Sequence, residues 1–347
     1  MIYGATGYTG QLLAAEAARR GLDVVLAGRH AERLNAVAEG HGLETRVLDL
    51  SDATRLRAAL EEVACVLHAA GPFSQTWEPM VAACLETRTH YLDVTGELDV
   101  LEAIARRGDE ARARDVTLLP GAGFDVVASD CLAAHLAGRL PEATTLRLAL
   151  AGVGGRVSRG TAKTMVESLG EGLRIRRDGV LVRRGAGSLE RHFDFGAGPA
   201  RGLAMPLGDL SSVFHSTGIP NIEIYVIVSG GVPRLLRASR LFAPLLRQPF
   251  VQRFLKRRID RMPEGPDEVE RAESRISILA EAEAPGHDPV RARLETPGSY
   301  AFTALSAIEL AKRVANGEAP TGFQTPSSAF GADCVLELPG CTRLDLD

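Results

Sequence analysis

Along the first third of the chain, short apolar runs alternate with stretches whose apolar residues recur at helical spacing, the pattern of successive βαβ units. Met1 to Tyr3 begin a strand and Gln11 to Arg20 a helix closed by Gly21. Asp23 to Ala27 and Arg46 to Leu50 are the next strands, with a helix over Ala31 to Ala38 between them. A helix over Asp52 to Glu62, which Asp52 or Ser51 can cap, leads to the strand Ala64 to Ala69. A helix opened by Glu78-Pro79, the strand His90 to Val94, a helix reaching Arg114 and the strand Val116 to Leu119 complete the series. Six strands joined by five crossovers predict an α/β domain with a doubly wound parallel sheet, the Rossmann arrangement.

From about Thr144 the texture changes. Strands with polar alternation follow one another at Thr145 to Ala151, Arg191 to Phe195, Asn221 to Val228, Arg275 to Glu283 and Val290 to Glu295. A second, mixed α/β and largely antiparallel domain is expected there. An Arg-rich amphipathic stretch, 233–261, interrupts it, and a helix over Ser299 to Ala315 ends at Asn316-Gly317. The expected division is a cofactor-binding domain over 1–128, a substrate and dimerisation domain over 129–298, and a C-terminal segment, 299–347, packing back on the first.

The first strand opens into Gly4-Ala5-Thr6-Gly7-Tyr8-Thr9-Gly10, with glycines three apart and a helix behind them. Backbone N–H groups in such a turn can approach a diphosphate closely, and the helix N-terminus supplies partial positive charge. Thr6 and Thr9 can add hydroxyl donors. A site for NAD wants an acid at the end of the second strand to hold the ribose 2′-hydroxyl, yet Gly28-Arg29-His30 stands there. Arg29, joined by Arg33, instead suits the 2′-phosphate of NADP(H). Ala70-Gly71-Pro72-Phe73 follows the fourth strand at a carboxyl end of the sheet, and Phe73 and Trp77 can wall the nicotinamide side.

The fifth strand delivers Tyr91, Asp93, Thr95 and Glu97 to the same edge, and the sixth ends in Pro120-Gly121-Ala122-Gly123-Phe124-Asp125. Tyr91 and Asp125 are the candidate proton donors, with helix capping as the competing role for Asp125. Arg159, Thr161 and Lys163, after the glycine stretch 152–155, can hold an anionic substrate group or stand as surface cations. His215, expected in a loop, can titrate near neutrality.

Composition narrows the field. The 347 residues exceed a single ordinary core, and the net charge of −4 argues against a nucleic-acid partner. Five scattered cysteines form no C-x-x-C pair and no zinc spacing, so no metal site is expected. No leader and no membrane-length apolar run is seen, making the cytoplasm the default, with membrane contact through 233–261 as an alternative. There is no G-x-S-x-G elbow, and no tyrosine has a lysine four residues later, which weakens hydrolase and short-chain reductase readings.

Taken in order, the glycine loop, Ala70-Gly71-Pro72-Phe73, His90-Tyr91-Leu92-Asp93-Val94-Thr95-Gly96-Glu97, Pro120 to Asp125, and Gly322-Phe323-Gln324-Thr325-Pro326 through Phe330-Gly331 resemble the saccharopine dehydrogenase-like reductase family. The resemblance implies a Rossmann domain, an inserted mixed domain that often mediates homodimerisation, and a returning tail. It implies NADP(H) at the glycine loop and hydride transfer to or from a C=N or activated C=C bond of a small or lipid-like substrate held between the domains. Relatives acting on saccharopine and relatives resembling trans-acting enoyl reductases leave the substrate open. A regulatory protein that binds NADP(H) without turning it over is the alternative of another class. The chain departs from the family pattern at Val126-Val127-Ala128, where a proline is usual. Its first strand has three residues before Gly4, short of the about five typical of strands, which is expected to weaken cofactor affinity.

Overall fold

A computed structural model describes residues 1–152, 156–167, 171–228, 243–246 and 248–346. Two units are present, Met1–Val127 with Ser299–Pro339, and Ala128–Gly298 with Gly340–Asp347.

The first unit is built on parallel strands β1 (Ile2–Tyr3), β2 (Val25–Gly28), β3 (Glu44–Val47), β4 (Cys65–His68), β5 (His90–Asp93) and β6 (Thr117–Leu119). They lie in the order β6-β5-β4-β1-β2-β3, the doubly wound arrangement expected from the apolar runs. Short as it is, β1 is central, pairing in parallel with β2 and β4. Helices α1 (Tyr8–Arg19), α2 (Ala31–Glu39), α3 (Ala53–Leu60) and α4 (Trp77–Thr87) form the crossovers, and the Asp52 carboxylate caps α3 by accepting from Arg55 N at 3.1 Å.

The single helix expected up to Arg114 is two, α5 (Leu98–Ala105) and α6 (Gly108–Ala113). A seventh parallel strand, Gly322–Phe323, joins the sheet beside β6, and a Cβ on Gly108 would lie 2.9 Å from that of Phe323. The C-terminal helix Ser299–Ala315 returns to this unit, where Arg20 pairs with Glu309 at 2.5 Å and the Ser306 hydroxyl donates to Ala122 O at 2.8 Å. The last strand, Thr342–Asp345, instead pairs with Val290–Pro297 in the second unit, so the expected return does not extend to the chain's final residues.

The second unit is a mixed sheet in which the neighbouring strands Thr145–Ala151 and Asn221–Ile227 are parallel and the other pairings antiparallel. All five expected strands are there. Four more were not read from the sequence: Leu173–Arg177, Val180–Arg184, Pro199–Ala204 and the last strand, Thr342–Asp345. The first two form a hairpin across Asp178-Gly179, with φ of 48° and 78°, the left-handed pair that a tight two-residue turn requires. Parts of two expectations, the glycine stretch at 153–155 and the Arg-rich segment at 233–242 and 247, lie outside the described residues. Among the described residues no helix is long and apolar enough to cross a membrane, and no group of His, Cys, Asp or Glu is arranged to hold a metal. All five cysteines are free and buried.

Candidate active site

The glycine loop is shaped by close backbone packing. Gly4 has φ +88°, a region that disfavours side chains, and a Cβ on it would come 2.7 Å from Ala70 N. At Gly10 a Cβ would sit 2.2 Å from Gly4 O, because helix α1 starts directly against strand β1. Gly7 differs. Its backbone is extended (φ −79°, ψ 162°), it is exposed, and a Cβ there would meet only Gly4 O at 3.4 Å. The fold would accept a side chain at Gly7, the N-cap of α1, whereas a diphosphate on the α1 amides would not. Such a cradle fits a dinucleotide. The Tyr8 ring packs edge-on against Tyr300 at 5.0 Å, so its contribution to the loop is its backbone. Thr6 and Thr9 are half-buried beside it.

The contact of Gly4 with Ala70 joins this loop to the turn after β4. That turn, which includes a cis Gly71–Pro72 peptide, is fastened from two sides. Glu97 accepts from Phe73 N and Ser74 N, each at 2.8 Å. Beneath it, the Thr76 hydroxyl donates to Ala70 O at 2.7 Å, which spends its one proton, so His68 Nε2 donates to Thr76 Oγ1 at 3.0 Å. His68 Nδ1 is then a buried acceptor with no partner among the described residues. Burial drives the ring's pKa down to about 3, and His68 stays neutral. Phe73 packs its ring on His68 at 5.4 Å and is 8% exposed, so it does not form the expected aromatic wall. Trp77 is half-buried against the same core.

At the ends of β5 and β6 the carboxylate of Asp93, fully buried, accepts from Tyr91 OH (2.6 Å), Thr95 N (2.9 Å) and Gly121 N (2.8 Å). Burial raises its pKa to about 6, against the pull of these three donors. The Tyr91 phenol is pushed well above its usual range by burial and by Asp93, and its ring has no access to solvent. Tyr91 and Asp93 together clasp the two strand ends; a phenol so placed has no path to a substrate.

Asp125 is the contrasting acid. It is exposed to solvent, yet crowded by protein so that desolvation raises its carboxyl above the ordinary range. Its side chain lies over Gly96, where a Cβ would come 2.6 Å from Oδ2. It does not cap the helix that follows. It is the second residue of α7 (Phe124–Arg139), whose start is held by Thr303 Oγ1 accepting from Phe124 N at 3.0 Å.

Arg29 is exposed at the tip of β2, where its charge acts on both Tyr3 and Asp49. Asp49, which the sequence reading passed over, accepts from Ser51 N and Ser51 Oγ at 2.9 and 2.7 Å. Those bonds, with Arg29 adding to them, hold its carboxyl below the usual range. Arg33 is exposed one turn into α2.

The candidates of the second unit are occupied elsewhere. Arg159 Nε donates to Met262 O at 2.6 Å and Lys163 pairs with Asp260 at 2.7 Å. His215 lies in the last turn of the helix Asp209–Thr217 rather than in a loop, its ring against Phe214.

A glycine turn with this cradle, with Arg29 exposed at the end of the second strand, agrees with comparison to known families, in which residues 1–119 match the saccharopine dehydrogenase NADP binding domain. The trans-acting enoyl reductase of Mycobacterium ulcerans is 35% identical over 161 residues, which cover 43% of this chain and 38% of that protein. A putative trans-acting enoyl reductase of Mycobacterium tuberculosis is 35% identical over 138 residues, 38% of this chain and 33% of its own length. The chain thus matches little more than a third of these relatives. Among solved structures, the apo saccharopine dehydrogenase (L-Glu forming) of Saccharomyces cerevisiae aligns with TM-score 0.69 over 100% of this chain and 99% of its own, at 11% identity. The homospermidine synthase of Legionella pneumophila, in complex with NAD, aligns with TM-score 0.59 over 99% and 90%, at 10% identity. The saccharopine dehydrogenase fold therefore extends over both units.

Proposed function

We propose that the chain is an NADP(H)-dependent oxidoreductase that transfers hydride to or from a C=N or activated C=C bond. The observation that carries this is Gly7: exposed, side-chain-free without any internal demand for it, and set at the open N-terminus of α1. Backbone amides of residues 7–10, with the hydroxyls of Thr6 and Thr9, hold the diphosphate, and Arg29 meets the 2′-phosphate through charge-assisted bonds. Ala70, Gly71 and Pro72, held in place by Glu97 and the His68–Thr76 pair, border the nicotinamide through their backbone. The bound nicotinamide supplies the hydride. Asp125, accessible and with a raised pKa, delivers the accompanying proton, a role for which Tyr91 is too deeply enclosed.

The names of the mycobacterial relatives favour an enoyl group over an imine, and the substrate that bears it is read here as lipid-like. The unit over 129–298 is read as the substrate and homodimerisation domain, and the cytoplasm as the protein's location.

The experiment follows NADPH oxidation against imine and enoyl thioester panels with the wild type and Asp125→Asn. Turnover that the variant cuts by about 10² to 10⁴ is the expected result. Because the acid must be protonated, wild-type activity in the reductive direction declines as pH rises past the raised Asp125 pKa, and the variant lacks that limb. NADPH binding without turnover of any substrate points instead to a regulatory cofactor-binding protein.

A further inference from the structure

The helix Pro249–Ile259 has one satisfied face and one that is not. Its inner face packs Leu255 and Ile259 against Ala162 and Val166 of the helix Arg159–Glu167. Lys256–Glu167 at 2.6 Å and Lys163–Asp260 at 2.7 Å fix the two helices together. The outer face presents Phe250 and Phe254, one turn apart and 60% and 59% exposed, beside Leu245 at 51% in the preceding turn. Exposed Arg253, Arg257 and Arg258 flank the two rings. The neighbouring acids are already engaged, Glu167 and Asp260 as above and Glu264 with Arg159 at 3.5 Å. Over residues 243–262 six basic residues stand against one acid, a local charge of +5 on a chain whose net charge is −4.

We infer that this face docks on the surface of an anionic lipid bilayer. Two adjacent phenylalanines cost free energy in water and carry no polar group to satisfy there, so their stable place is an apolar phase. Guanidiniums on both flanks of that aromatic ridge sit at the depth of the headgroups when the rings enter the acyl boundary, the arrangement of helices lying in a membrane interface. A bilayer of anionic lipid meets both demands, with negative charge around an apolar interior. The helix lies on the membrane and does not cross it, since its 11 residues and charged flanks suit only the interface. The inference is independent of the glycine-loop reading, which concerns the other unit.

The test is flotation of the full chain with vesicles of phosphatidylcholine alone and of phosphatidylcholine mixed with phosphatidylglycerol. Two double variants are included, Arg257→Gln/Arg258→Gln and Phe250→Ser/Phe254→Ser, with circular dichroism to show that each is folded. We expect the wild type to float with the mixed vesicles only and to be released by high salt. Each basic residue near an anionic surface contributes roughly fivefold, so the arginine variant should bind about 30-fold more weakly. The phenylalanine variant should lose most of its binding although its charge is intact. Absence of flotation, equal flotation with both vesicle types, or binding unaffected by either variant overturns the inference. So does a wild-type dimer, detected by sedimentation in the absence of lipid, that the phenylalanine variant splits while vesicles go unbound, since a second copy would then be the occupant. Retention of RNA without retention of vesicles overturns it equally.

Discussion

Replacing Gly7 and Gly10 separately by alanine distinguishes a ligand-binding turn from a merely tight one. At Gly10 the new methyl would be driven to 2.2 Å from Gly4 O and 2.7 Å from Ala5 Cα, both backbone atoms, so relief requires α1 to move off β1. Overpacking of this kind costs about 1–3 kcal/mol or more, and the variant should melt well below the wild type or fail to fold. At Gly7 the methyl meets nothing closer than 3.4 Å, and the backbone angles suit any residue. Alanine there restricts the unfolded chain and should stabilise the protein by about 0.4–1 kcal/mol. Yet the same methyl would stand in the path of a diphosphate. Loss of one charge-assisted hydrogen bond, about 1.5–3 kcal/mol, weakens NADPH binding by roughly tenfold to 150-fold. Thermal melts and NADPH titration by quenching of Trp77 fluorescence measure both quantities on the same samples. A Gly7→Ala protein that melts higher and binds NADPH like the wild type would refute the placement of the diphosphate.

Other expectations concern the supports of the site. Asp93→Ala should leave three buried donors unsatisfied and destabilise the protein by about 3–5 kcal/mol, while Asp93→Asn, which keeps an acceptor for Thr95 N and Gly121 N, should cost about 1 kcal/mol; denaturant unfolding compares them. His68 has a folded pKa of about 3 against an ordinary 6.5, so the unfolded chain takes up the proton first and stability falls as pH drops below 6.5. His68→Leu should therefore lose about 2–3 kcal/mol less than the wild type between pH 6 and pH 4, with Asp93, whose raised pKa acts in the opposite direction, common to both proteins.

The first unit could be followed in the sequence because each strand there is a short apolar run bounded by turn residues, and because the glycine loop fixes where the count begins. The second unit was harder. In Leu173–Arg177 and Val180–Arg184 arginines interleave the apolar positions, and the run resembles a solvated stretch unless Asp178-Gly179 is taken as a hairpin turn. The seventh strand of the first sheet has two residues and comes from the far end of the chain, beyond the reach of local pattern. At the site, types and positions were legible but partners were not. Tyr91 and Asp93 read as chemistry and turned out to bond to each other. The hold of Glu97 on Phe73 and Ser74 spans more than twenty residues. His68 carries no motif at all, and only the fold reveals a buried ring whose tautomer is set by the single proton of Thr76. Asp49 could have been found by asking what closes the third strand, as was asked of the second.

The claim at the centre of this account is that the turn at 4–10 binds a dinucleotide and Arg29 selects its phosphorylated form. Isothermal titration of the wild type and Arg29→Ala with NADPH and with NADH tests it most directly. The account predicts that the wild type prefers NADPH and that the variant loses NADPH affinity by about 10- to 100-fold while NADH binding stays within a few-fold. Equal affinities for the two dinucleotides in the wild type, or an unchanged NADPH affinity in the variant, would contradict it.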